Sequence, residues 1–407
     1  MSFLLPTTMP RLRYWRRRTK LAVALVAALL LVVAISDHTG FTGALFSRLT
    51  SPVVTDGGVN EDFYRTGLSP KKFCRLELTD GSTVELPELY KDVTPDVAAY
   101  NVYLMETSSA TVVTPRALCG LESYCNHNPG AHVWFLVTSQ YLESTTLAEL
   151  MSLQATYPNL CVAHLNFSSL FQDTPLLELY LSQRFNRTSF LANNLCNMGR
   201  LAIVYKFGGL YTDMDVIALR PLMPAANFIA LQDDKSGYLN AAIHYLRRQH
   251  PMSMKIMEHI AANYKGNVWG ANGPTAQTNA AKHLGCDRSP VGVDRLVNNT
   301  NNRKPLPVQP CDDLQQKQPC SNHTEECDWV ALKSSAFMAV PYTEAKKLFL
   351  GPKKDEKFQP IETLYPVSLG VHFFNYVTRF MKVQPGSHMH RLALKSCPVI
   401  VKEHPLL

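Results

Sequence analysis

Residues 191–219 read LANNLCNMGRLAIVYKFGGLYTDMDVIAL. Apolar residues at 191, 195, 198, 201, 202 and 205 recur with a period close to 3.6, which predicts a helix over Leu191–Lys206. Gly208 and Gly209 stop it, because glycine enters the left-handed conformations of helix ends without steric cost. Leu210–Leu219 then reads as a strand that carries two acids, Asp213 and Asp215. Upstream, Val102–Met105, Val133–Val137 and Leu160–Leu165 are short apolar runs, with a helical stretch at Arg116–His127 between the first two. Buried runs alternating with helices predict an α/β fold layered on a mostly parallel sheet.

The acids set the chemistry. Two carboxylates at i and i+2 of an extended chain share one face, about 6–7 Å apart along the backbone. Like charges so close repel, so the pair calls for a cation. Oxygen ligation suits Mg²⁺ or Mn²⁺, and either ion would in turn hold a diphosphate. A solvated turn with two acids gives the same D-x-D spacing. The apolar Ile217, Ala218 and Leu219 that follow favour acids at the end of a buried strand. The pair does not suit a glycosidase, whose two carboxylates must flank the scissile bond from opposite sides.

The 407 residues are 46% hydrophobic and 18% charged, which excludes a disordered polymer or a small disulfide knot. Of the formal charge of +7, six cations (Arg11, Arg13, Arg16, Arg17, Arg18, Lys20) lie in the first twenty residues; the remaining 34 bases face 33 acids. No basic surface is left for a nucleic acid. Behind this tail, Leu21–Ile35 is an unbroken apolar run, short for a membrane span. A cleaved signal peptide and a signal anchor both fit it; the flanking cations favour a single-pass type II anchor with everything after Asp37 across the membrane. All ten cysteines and four sequons (Asn166, Asn186, Asn298, Asn322) lie beyond it, as expected in a secretory lumen where cysteines form structural disulfides. The organisation read from these features is a basic tail at 1–20, an anchor at 21–36, a stem at 37–97 and a catalytic domain at 98–401. Residues 288–328, rich in Asn, Asp, Gln and Pro, read as an insertion in that domain.

Several ordered motifs carry a resemblance. Arg200–Asp215 resembles the D-x-D region of the α1,4-glycosyltransferases of glycosyltransferase family 32. Met105–Ser108, Arg116–His127, Phe171–Leu176, Trp269–Pro274, Val371–Asn375 and Cys397-Pro398 are similar to further motifs of that family, in the same order. The resemblance implies a GT-A nucleotide-diphospho-sugar transferase fold, a UDP-sugar donor, a divalent cation (Mn²⁺ or Mg²⁺) and retention at the anomeric carbon. It places Asp213 and Asp215 at the metal and donor, with Asp215 favoured as the direct ligand, and adds His372 and Asn375 to the ligand set. Arg200 and Asn197 are implied at the donor. Tyr211 alternates onto the same face as Asp213, where it either packs against the nucleotide or is a core aromatic, and Gly273-Pro274 stand in a turn that admits donor or acceptor sugar. Asn240 is expected under the donor sugar, where its amide is a poor nucleophile; Asp233 and Asp234 are candidates for acceptor contact. Two positions depart from the pattern: Asn197 stands where related enzymes often have Asp, and Phe374 where they have Trp.

The expected function is transfer of Gal or GalNAc from a UDP-sugar to a glycolipid in the Golgi membrane system, with the catalytic domain in the lumen. Transfer of GlcNAc from UDP-GlcNAc to glycoprotein O-glycans is the alternative, and a lectin-like pseudo-enzyme the third reading.

Overall fold

A computed structural model describes residues 75, 76, 84, 86–296, 325–353 and 359–407. The basic tail, the apolar run and most of the stem lie outside the described residues. Among the described residues no helix is long and apolar enough to cross a membrane. Asn298, Asn322, Cys74, Cys311 and Cys320 also lie outside them.

Among the described residues ten strands follow in chain order: β1 (Asn101–Glu106), β2 (His132–Val137), β3 (Leu160–His164), β4 (Gly209–Thr212), β5 (Val216–Ala218), β6 (Phe228–Asp233), β7 (Tyr238–Leu246), β8 (Pro290–Val291), β9 (Val330–Leu332) and β10 (Gly370–His372). The main sheet runs β3-β2-β1-β4-β7-β6-β9-β8, and β5 pairs with β10 apart from it. Strands β3, β2, β1 and β4 are parallel, whereas β7 runs antiparallel to both β4 and β6. The α/β sheet expected from the apolar runs is present.

Both faces of the sheet are covered, which is why its strands read as continuous apolar runs rather than alternating ones. Val102 and Leu104 enter one core with Val133 and Phe135; Tyr103 and Met105 enter the other with Trp134 and Leu136. Helix α1 (Pro115–His127) covers the first face, started by Thr114, whose side chain caps Ala117 N–H, and by Pro115 in the first turn. Helices α2 (Leu191–Phe207) and α3 (Pro251–Asn263) cover the second. At the end of α2 the glycine pair is required twice over. Gly208 has φ 70° and Gly209 φ 120°, and a Cβ on Gly209 would lie 2.4 Å from the Asn101 carbonyl oxygen, so only glycine lets β4 lie against β1 here.

One expectation is corrected. Leu210–Leu219 is not one strand: β4 ends at Thr212, Asp213–Asp215 form a turn closed by Val216 N–H on the Asp213 carbonyl (3.2 Å), and β5 belongs to the second sheet. Several residues before 98 pack on the sheet as well. Leu76, Val84, Leu86, Leu89 and Val93 are buried in the same cores, and Leu89 N–H donates to the His164 carbonyl at 2.9 Å. Short apolar residues scattered among polar ones give no periodicity, so the sequence hides this docking.

Cys119 is bonded to Cys397 and Cys286 to Cys327, while Cys125 and Cys196 keep free thiols. The first bridge ties α1 to the C-terminal helices α4 (His388–Ser396) and α5 (Pro398–Glu403). Beside it the buried Glu122 carboxylate accepts from Val399 N–H (2.8 Å), Ile400 N–H (2.9 Å) and Tyr157 Oη (2.7 Å).

Candidate active site

The chain order reverses at β1, which has β2 on one side and β4 on the other. In sheets of this kind a crevice opens at the carboxyl ends of the strands flanking such a reversal. The Asp213–Asp215 turn leaves β4 at that end. It is held from beneath by backbone and helix contacts. Asp213 N–H donates to the Ala242 carbonyl on β7 (2.8 Å), and Thr212 Oγ1 donates to Tyr124 Oη on α1 (2.9 Å). Gly120 on α1 meets the turn so closely that an added Cβ would lie 2.1 Å from the Met214 carbonyl oxygen. Ser123 Oγ donates to the Gly120 carbonyl and accepts from Ala218 N–H, locking α1 to β5.

Asp213 is gripped by α2 and β4. Arg200, only 3% exposed, places Nη2 3.0 Å from Asp213 Oδ1, and Tyr211 Oη donates to the same oxygen at 2.6 Å. Arg200 Nη1 also donates to the Ala241 carbonyl, and its Nε to the Cys196 carbonyl. The free Cys196 thiol lies 3.0 Å from Tyr211 Oη and 3.1 Å from Arg200 Nη2. Burial works against the guanidinium charge, but Asp213, Cys196 and Tyr211 more than offset it, and Arg200 stays protonated. Burial and the neighbouring Asp215 push the Asp213 carboxyl up, against the pull of Arg200. No described residue hydrogen-bonds Asp213 Oδ2.

Asp215 is gripped from the second sheet. Its Oδ1 lies 3.0 Å from His372 Nε2 on β10, and its Oδ2 accepts the Asn375 backbone N–H at 2.7 Å. Burial opposes ionisation here too, but His372 and the Asn375 N–H outweigh it and hold the Asp215 carboxyl below its ordinary range. Phe374 carries the chain between His372 and Asn375 in the left-handed region (φ 51°), unusual for an aromatic residue. Its ring centroid lies 4.0 Å from that of His372.

Asp213, Asp215 and His372 each bring one ligand atom within 4.8 Å of the others. The Nδ1 of His372 is buried without a hydrogen-bond partner among the described residues. Two carboxylate oxygens with one imidazole nitrogen are a donor set that fits Mn²⁺ or Mg²⁺. The turn makes this convergence possible, whereas an extended strand would have held the acids farther apart.

The other expected residues surround this cluster in different ways. Asn197 lies on α2 one turn before Arg200, 3% exposed, and donates to Asn193 Oδ1 at 3.1 Å. Gly273 packs on it: an added Cβ would lie 2.5 Å from Asn197 Oδ1. Pro274 follows inside the short π-helical segment Ala271–Thr275, which is kinked at Gly273. Tyr211 is fully buried, so its ring is a core aromatic and its hydroxyl serves Asp213; it is not open to a nucleotide. Asn240 is also buried, its Oδ1 accepting Ala242 N–H at 2.6 Å and its Nδ2 donating to Gln232. Asn375 meets Asp215 with its backbone N–H, a role that no side-chain reading anticipates. Asp233 accepts from Lys235 and Ser236 N–H groups in its own turn, whereas Asp234 accepts from Ser334 N–H, 100 residues downstream, so both are engaged structurally. Sequence reasoning missed Gly120, Ser123, Tyr124 and Cys196; a glycine inside the helix of Arg116–His127 was the available signal.

Residues 114–234 match the glycosyltransferase sugar-binding region containing the DXD motif, and residues 245–310 and 308–404 match the α1,4-glycosyltransferase conserved region. Lactosylceramide 4-alpha-galactosyltransferase of Rattus norvegicus is 27% identical over 292 residues, covering 71% of this chain and 69% of that protein. Alpha-1,4-N-acetylglucosaminyltransferase of Homo sapiens is 29% identical over 181 residues, covering 44% and 52%. Among solved structures, PaToxG glycosyltransferase overlaps 45% of this chain and 68% of its own at 15% identity and a TM-score of 0.36, too loose to bear on the site. The two matched regions follow one another along residues 114–404, the first bringing Asp213 and Asp215 and the second His372, and the chain belongs to the α1,4-glycosyltransferases.

Proposed function

We propose that this chain moves galactose or N-acetylgalactosamine from a UDP-sugar, in α1,4 linkage and with retention, to the terminal sugar of a glycolipid. The convergence of Asp213, Asp215 and His372 at the strand-order reversal carries the reading. Those three residues would hold a divalent cation, Mn²⁺ or Mg²⁺, whose charge offsets that of the departing UDP.

The protein's part is positioning. Arg200 and Tyr211 both engage Asp213 Oδ1, which fixes the carboxylate and leaves Oδ2 for a ligand. His372 Nε2 and the Asn375 N–H each engage one oxygen of Asp215, so a cation would take the place of the His372 contact. Both carboxylates are thus placed before a ligand arrives, and the His372–Asp215 contact is what has to open on binding. Asp233 and Asp234 are engaged by backbone N–H groups, and the Asn240 amide by Gln232 and Ala242. This supports displacement on one face of the sugar without a protein nucleophile or base. The bond from the anomeric carbon to the phosphate oxygen breaks while the acceptor hydroxyl forms the new bond on the same face. The acceptor's proton passes to the departing phosphate.

The basic tail and apolar run support a type II Golgi membrane protein with its catalytic domain in the lumen, which would confine enzyme and glycolipid to one surface. The test is UDP release by the detergent-solubilised full chain from UDP-Gal, UDP-GalNAc and UDP-GlcNAc, with Mn²⁺ or EDTA and a lactoside acceptor. Mn²⁺-dependent turnover with one of the first two donors, abolished by Asp215→Asn, is expected. Preference for UDP-GlcNAc would move the reading to N-acetylglucosaminyl transfer. Tight UDP binding without turnover across a broad acceptor set would make the protein lectin-like.

A further inference from the structure

Most large aromatic side chains near the site, such as Tyr103, Tyr211 and Phe373, are fully buried. Two are not. Trp269 is 46% exposed and Tyr376 48%, and they stack with ring centroids 4.2 Å apart and planes 25° from parallel. Phe190 supports Trp269 edge-on at 5.3 Å, and the Arg379 guanidinium lies over the Tyr376 ring at 5.7 Å. Joined exposed rings of this kind differ from single exposed apolar residues such as Val97 or Met223, which need no explanation.

The stack is tied to both sides of the acidic cluster. Trp269 opens the loop whose Gly273 presses on Asn197, one turn before Arg200. Tyr376 directly follows Asn375, whose N–H holds Asp215. Neither ring has a task in holding Asp213, Asp215 or His372.

We infer that Trp269 and Tyr376 form the platform on which the terminal hexose of the acceptor lies with its apolar face down. The chemistry fits a galactoside. In a β-galactopyranose the axial hydrogens at C1, C3 and C5 gather on one face, and the axial 4-hydroxyl stands on the other. The negative face of an aromatic ring attracts such C–H groups. A galactose lying on the stack turns its 4-hydroxyl away from the rings, free to receive the donor sugar. An equatorial 4-hydroxyl, as in a glucoside, would point along the ring edge instead. This assignment rests on the transferase reading, but it is also testable without turnover.

The experiment compares Trp269→Ala, Tyr376→Ala and Trp269→Phe with the parent in the full chain in detergent. The acceptor KM for phenyl β-lactoside is expected to rise roughly tenfold in each alanine variant, while affinity for UDP with Mn²⁺ holds; phenylalanine at 269 should restore most of the loss. Independently, saturation-transfer NMR with methyl β-galactopyranoside should show the strongest transfer at H1, H3 and H5 in the parent and lose it in the alanine variants. An unchanged acceptor KM would overturn the platform. So would a parallel fall in UDP affinity and melting temperature, which would make the stack a structural clasp. Loss seen only with acceptor in vesicles, and not with soluble lactoside, would assign the rings to the lipid surface and overturn it too. Absence of turnover with every donor in the parent would sink the transferase reading, while the NMR signal would still decide the platform.

Discussion

Gly120→Ala tests the claim that helix α1 sets the position of the acidic turn. Two effects oppose each other. Alanine in a helix interior is favoured over glycine by about 1 kcal/mol, so propensity alone predicts a more stable protein. The new Cβ, however, would lie 2.1 Å from the Met214 carbonyl oxygen and 3.0 Å from its carbon, and must retreat to about 3.4 Å for ordinary contact. A shift of about 1.3 Å is therefore required of backbone atoms, which cannot swing away as a side-chain tip can. Overpacking of this kind costs roughly 1–3 kcal/mol, and a backbone obstacle belongs at the upper end. The net expectation is about 2 kcal/mol of destabilisation and a melting temperature lower by about 5 °C. Because Met214 stands between Asp213 and Asp215, the same shift pulls the carboxylates away from Arg200 and His372. Calorimetric titration with Mn²⁺ and UDP should show at least about a tenfold loss of affinity, equivalent to about 1.4 kcal/mol. A variant with a raised melting temperature and parental Mn²⁺–UDP affinity would refute the reasoning, since helix propensity would then have won.

Three further perturbations address other parts of the structure. Tyr211→Phe removes the 2.6 Å hydrogen bond to Asp213 Oδ1 but leaves Arg200 in place; a loss of about 1.5–3 kcal/mol in Mn²⁺–UDP binding, with a fold unchanged by circular dichroism, is expected. Glu122→Ala strands the Val399 and Ile400 N–H groups and the Tyr157 hydroxyl, and should cost roughly 3 kcal/mol in urea unfolding with both disulfides intact. Burial and nearby Lys395 hold the His127 pKa down at about 4, against 6.5 for the ordinary side chain. The folded state therefore binds fewer protons than the unfolded one between those values. Its contribution is complete above pH 6.5 and is lost as pH falls toward 4. Discounted for partial exposure, the slope is about 0.7 kcal/mol per pH unit. His127→Gln should flatten stability measured from pH 7 to 5, and an unchanged slope would remove the assignment.

Much of this protein is legible in order along its chain. The runs Val102–Met105, Val133–Val137 and Leu160–Leu165 are continuous because both faces of the sheet are covered, and they appear as β1, β2 and β3. The 3.6-residue period of Leu191–Lys206 and the glycines after it locate α2 and its end, since periodicity and φ freedom are local properties. The D-x-D pair was visible for the same reason, as was His372 through a motif. What local pattern cannot carry is the partner of each strand. Thr212 and Val216 lie four residues apart, yet β4 pairs with β1 and β7 while β5 pairs with β10, some 150 residues downstream. That change of sheet bends Asp213–Asp215 into a turn and brings His372 and the Asn375 N–H onto Asp215. Gly120 under Met214, Arg200 turned inward to Asp213, and the bonding of Cys119 to Cys397 depend on the same long-range packing. The sequence by itself determined which residues carry charge, period and flexibility. The tertiary structure decided which of them meet, because burial makes a paired charge or a filled hydrogen bond worth keeping only where a distant segment supplies the partner.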